Sequence, residues 1–118
     1  MSIVLQRIYD EASPMGGHRV LVDGIWPRGI SKSTAQLDEW MKDLAPEKTL
    51  RQWFNHEPEK FDEFAQTYRR QLEEDEEQQR LLEKLRTLAD GNRVVLLFGA
   101  KETHYNHAVV LKNILEEN

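Results

Sequence analysis

The chain has 118 residues, with 16 Lys and Arg against 21 Asp and Glu for a net charge of −5, and it contains no cysteine. This length suits one domain with one core, and the acidity argues against a surface that tracks nucleic-acid phosphates. Without cysteine there is no disulfide framework, thiolate metal site or Cys nucleophile.

The opening residues lack a signal-peptide pattern, and the longest apolar run, residues 94–100, is far too short to span a bilayer. A cytoplasmic domain without membrane contact is therefore expected. Residues 3–9 and 19–23 are short apolar or β-branched runs that read as strands, separated by the turn residues Ser13-Pro14 and Gly16-Gly17. The connection is short for a helical crossover, which leaves open an antiparallel pair or an extended return.

From Ser31 the period becomes helical. Leu37, Trp40, Met41 and Leu44 follow i, i+3, i+4, i+7, with a capping box at Ser33 and Gln36 and a stop at Pro46. Leu50, Trp53 and Phe54 predict a second short helix, and the three Trp and Phe positions of these two helices are expected in the core. Pro58 suits a helix start, with Phe61, Phe64, Tyr68 and Leu72 on one face. Leu82, Leu85 and Leu88 fall out of that phase, so Asp75 with Gln78 predicts a fresh cap and Gly91 an end. Residues 93–100 read as a buried strand, and Ala108, Leu111 and Leu115 as a last helix capped by Asn106 or Thr103.

Residues 33–92 hold nine basic and fifteen acidic side chains, so the acidity belongs to the helical middle; the run 73–77 reads as a solvated helix junction. The predicted fold is a single α/β domain over 1–118. It has a small sheet of about three to four strands flanked by helices, and an acidic helical segment between strand two and the last strand.

Ligands of open α/β sheets sit at the carboxyl ends of the strands. Two strands here end in polar clusters: Asp23-Gly24-Ile25-Trp26-Pro27-Arg28-Gly29 with Lys32 behind, and residues 99–107. Parallel neighbours would bring both loops to one crevice. Arg28 suits a carboxylate or phosphate, helped by Lys32 and the amides of the last helix, with phosphate-bearing molecules preferred. A histidine changes protonation near neutral pH, which suits His107 to proton movement with Asp23 or Glu102 orienting it. Trp26 is read as a core or rim aromatic before a stacking platform, and Asn106 as a helix cap before a ligand contact. Glu102, His104 and His107 match no strong metal-ligand spacing, so neither metal nor cofactor is expected. His18 and His56 sit in turn contexts and carry no assigned role.

Arg7-Ile8-Tyr9-Asp10, the 19–29 segment with Trp26-Pro27-Arg28-Gly29, Lys42-Asp43-Leu44-Ala45-Pro46, Leu50-Arg51 with Trp53-Phe54 and His56, and Asn106-His107-Ala108 together resemble the YeaO-like family, within the domain of unknown function 488 group. The resemblance spans residues 7–111. It implies a small α/β domain of bacterial cytoplasmic type with no established activity. Two departures stand out. The family pattern commonly places Arg after the Asp of the second strand, where this chain has Gly24, and Ala-Lys-Asp where it has Ala100-Lys101-Glu102.

Three functions follow. The first is an enzyme acting on a small anionic or nucleotide-like ligand, with Asp23, His107 and Glu102 catalytic and Arg28, Lys32, Asn106 and Trp26 binding. The second is a non-catalytic ligand-binding or regulatory domain using the same crevice. The third is an interaction module docking through its acidic helices, marked by an exposed apolar patch on residues 59–90. A small anionic molecule is the expected partner, without nucleic acid; the oligomeric state is not written in the sequence.

Overall fold

A computed structural model describes residues 2–117. Four strands, β1 (Ser2–Arg7), β2 (His18–Leu21), β3 (Glu39–Trp40) and β4 (Arg93–Phe98), form one sheet in the order β1-β4-β2-β3, with every pair parallel. The helices are α1 (Lys32–Ala35), α2 (Lys48–Phe54), α3 (Phe61–Glu74), α4 (Glu76–Ala89) and α5 (His107–Glu116). This is the α/β class that the element order predicts.

The continuous apolar run of β4 follows from its place. It pairs with β1 on one side (Leu5 opposite Leu96) and with β2 on the other (Val20 opposite Leu96), and its two faces are both covered. Alternate residues divide between two cores. Val20, Val94, Leu96 and Phe98 join Phe64, Tyr68, Leu82, Leu85 and Leu111 in the larger one. Leu21, Val95 and Leu97 meet Ile8 and Ala35 in a smaller one, closed by Met15, Trp26, Ile30 and Leu37. One face therefore carries helices α3–α5, and the other a thin cover of loops and α1. The first two strands do not pair with each other, because β4 lies between them.

The acidic middle divides as its stripe does. Phe64, Tyr68 and Leu72 are buried from α3; Asp75 then turns extended, accepts the Gln78 N–H at 2.9 Å and starts α4. Burial pushes the Tyr68 hydroxyl well above its ordinary pKa, reinforced by the charge of Asp23, so it stays a neutral donor to the Leu44 carbonyl.

The expected helix through 37–44 is absent. Ser31, rather than a Ser33–Gln36 box, caps the single turn of α1, which stops at a left-handed Gln36. The chain then becomes extended. Asp38 and Met41 amides donate to the Arg19 and Leu21 carbonyls at 2.9 Å, and the Asp38 carboxylate takes the Arg19 amide at 2.7 Å. Backbone bonds to β2 thus outweigh a helical period whose members are buried on different elements. Met41 and Leu44 are buried as expected, but Trp40 on this edge strand is 37% exposed and Trp53 39%. Phe54 alone of that aromatic trio is in the core, stacked on Phe64 at 4.2 Å. No helix among the described residues is long and apolar enough to cross a membrane.

Candidate functional site

Parallel pairing of β1, β4 and β2 sets their carboxyl ends side by side, and a cavity of about 460 Å³ opens there. That volume lies within the range of small-molecule sites, roughly 300–1,000 Å³. Asp23, Trp26, Arg28, Asn106 and His107 all line it. Lys32 and Glu102 do not. Lys32 is exposed at the start of α1, and the Glu102 carboxylate instead caps its own loop, accepting the His104 amide at 2.9 Å.

Asp23 ties the strand ends together. Its Oδ2 accepts the Gly99 amide at 2.8 Å, an approach a side chain would crowd, since a Cβ on Gly99 would stand 3.1 Å from that oxygen. Its Oδ1 lies 3.0 Å from His107 Nε2, but outside hydrogen-bond alignment, leaving a buried carboxylate oxygen without a donor. His107 Nε2 instead lies 3.2 Å from the Val22 carbonyl, which calls for the proton on Nε2. Asn106 serves as a cap: its Oδ1 accepts the Val109 amide at 3.1 Å and its Nδ2 donates to the Glu102 carbonyl at 2.7 Å.

The 23–30 loop is braced from both sides. Trp40 Nε1 donates to the Asp23 carbonyl and Trp26 Nε1 to the Ile30 carbonyl, both at 2.7 Å, and the two indoles meet edge to face at 5.4 Å. Trp26 is thus a rim aromatic with its polar edge committed. Residues 27–30 close a tight turn, Ile30 N–H donating to the Pro27 carbonyl at 3.3 Å, with Gly29 at φ 82° where a left-handed residue is needed. Arg28 stands at the tip. Tyr9 anchors its carbonyl at 2.9 Å, and its guanidinium has no protein partner among the described residues.

The sequence left out one side of the cavity. Tyr9, from the turn after β1, also lines it, as do Pro46, Arg51, Phe54, His56 and Phe64, brought in by α2 with its flanking turns and by α3. Asn55 and His56 follow α2 at φ 47° and 56°, two successive left-handed non-glycine residues, a conformation costing of order 1–3 kcal/mol each and concentrated at functional sites. A helix ending in Asn-His was the available signal for this turn, and only tertiary placement of α2 brings it to the strand ends. Among the described residues no group of three or more His, Asp or Glu is placed to hold a metal ion. The large apolar side chains left exposed are Tyr9, Ile25, Trp40, Trp53 and Tyr105, none of them on residues 59–90.

The model of one family, described as an inactive subclade of domain of unknown function 488, DUF488-N3, matches residues 2–118. An uncharacterised protein of Mycobacterium tuberculosis (strain H37Rv) is 40% identical over 109 residues, spanning 92% of this chain and 89% of its own length. The uncharacterised protein YeaO of Escherichia coli (strain K12) is 38% identical over 115 residues, spanning 98% and 97%. No solved structure matches the chain.

Proposed function

The chain is a YeaO-like member of the domain of unknown function 488 group, in its inactive N3 subclade, and on that premise we propose that it binds a small anionic organic molecule in the strand-end crevice without transforming it. The observation that carries this reading is Arg28, raised on a braced turn over the cavity with its guanidinium unmatched. In a chain with five more acidic than basic residues, an arginine without a carboxylate partner at a cavity is a ready anion contact.

Two features favour binding over catalysis. His107 has committed Nε2 to a backbone carbonyl, and the subclade is described as inactive. The 3.0 Å approach of Asp23 and His107 favours the enzymatic reading instead, with His107 as proton carrier. Titration of the isotope-labelled protein with phosphate, nucleotides and carboxylates, followed by NMR, separates them. Shifts are expected on residues 23–30 and 99–107, with weak affinity, and Arg28→Ala should remove them while the fold persists. Shifts confined to other regions would overturn the site. Conversion of an added ligand, stopped by His107→Gln, would install the enzyme.

A further inference from the structure

The site above depends on Arg28, and a second arginine reaches the same cavity from a different element. Arg51, on α2, donates Nε to the Pro46 carbonyl at 3.1 Å, which holds the guanidinium in place while its terminal nitrogens bond to no described protein group. Elsewhere arginine is mostly matched: Arg7, Arg19, Arg69, Arg80 and Arg86 each have a carboxylate within 4 Å. Arg28, Arg51, Arg70 and Arg93 do not. The two at the cavity are thus kept from the acidic side chains that abound in this chain. Arg51 also borders a neighbouring groove holding Asp43, Glu47, Glu74 and Asp75, yet forms an ion pair with none of them.

Resting on the crevice reading, we propose that Arg28 and Arg51 grip one phosphate between them, and that the ligand is a phosphate monoester whose organic body lies against Trp26, Pro46 and Phe54. A carboxylate has two coplanar oxygens, and one guanidinium fork takes up the edge they share. A phosphate monoester has three terminal oxygens in different directions and so accepts from two forks on different elements. Charge agrees: the monoester carries about −1.5 to −2 at pH 7, matching two guanidiniums. The basis for phosphate is therefore a pair of arginines rather than α5, whose Val109 amide is already taken by Asn106.

Phenyl phosphate, inorganic phosphate and benzoate test this by NMR titration of the folded protein. Phenyl phosphate should bind about tenfold or more tighter than benzoate, and tighter than inorganic phosphate. Arg51→Gln should cost about tenfold for phenyl phosphate and bring it level with benzoate. Arg51→Lys keeps the charge without the fork and should lose an intermediate amount, with thermal unfolding confirming that both variants fold. Equal binding of phenyl phosphate and benzoate by the unmodified protein overturns the proposal. So does an Arg51→Gln protein with unchanged preference, and if Arg28→Ala still abolishes binding, the single-arginine site survives. Inorganic phosphate binding as tightly as phenyl phosphate overturns the organic body, and silence from every probe overturns both readings.

Discussion

Strand β2 holds Arg19 and the loop after it holds Arg28, and the two are treated in opposite ways. Arg19, inside the strand, is buried, and every guanidinium nitrogen is used: Nη1 and Nη2 on the Glu11 carboxylate at 2.9 and 2.8 Å, the rest on the carbonyls of Met15, Ala35 and Gln36. Arg28, in the loop after the strand, is exposed, and its guanidinium has no partner among the described residues. The first binds the 11–17 loop and the end of α1 onto the thin face of the sheet. The second is surplus to the fold. A matched arginine within the strand and an unmatched one in the loop beyond it separate a stabilising contact from a ligand-facing one.

The sharpest way to break this contrast is at Glu11. Its side chain and that of Arg19 are 8% and 5% exposed, so Glu11→Ala strands a buried guanidinium and should cost about 3–5 kcal/mol in urea unfolding. Burial alone would raise the Glu11 carboxyl, but the hydrogen bonds from Arg19 and the Met15 amide, with the Arg19 charge, hold it below its ordinary 4.5. A depressed carboxylate adds stability above its unfolded value and loses it as pH falls through the folded one. The unmodified protein should therefore shed stability below about pH 4.5 that Glu11→Ala has already lost; parallel acid curves for the two would contradict the pairing.

Smaller effects follow toward the crevice. Tyr68→Phe removes the donor from the buried Leu44 carbonyl and should cost about 1–3 kcal/mol by the same unfolding measurement. Trp40→Ala loses one hydrogen bond and an edge-to-face contact on a partly exposed ring, so about 1–2 kcal/mol is expected, less than the 3–5 of a fully buried Trp. Arg28→Ala should change stability by less than about 0.5 kcal/mol. A larger loss there would mean that Arg28 serves the fold after all.

The legible parts of the fold were those whose local chemistry and tertiary role agree. The run at residues 93–98 reads as a central strand because both its faces are buried, and Asp75 with Gln78 reads as a cap because the bond is local. Residues 37–44 misled because Leu37, Trp40, Met41 and Leu44 keep a helical spacing by coincidence. Leu37 serves the smaller core, Met41 and Leu44 the larger, and Trp40 braces the 23–30 loop. Two residues on an edge are too short to show a strand's alternation. At the site, the two strand-end loops were visible as polar clusters after apolar runs, and their meeting needed only parallel pairing. Arg51 and His56 belong to the segments that carry the family resemblance but were not read as site residues, because nothing local distinguishes them from the solvent face and turn of an ordinary helix. Lys32 and Glu102 lie close in sequence to the cavity residues, but their own turns direct them elsewhere.

The contrast between the two arginines is tested most directly by ligand-dependent stability. Urea unfolding of the unmodified protein and of Arg28→Ala, each with and without phenyl phosphate in excess, compares folding and binding in one experiment. A ligand at about 100 times its Kd stabilises the folded state by ~2.7 kcal/mol. The unmodified protein should gain that amount, while Arg28→Ala, equally stable without ligand, should gain nothing. Equal gains in both proteins, or no gain in either, would contradict a ligand site at the strand ends.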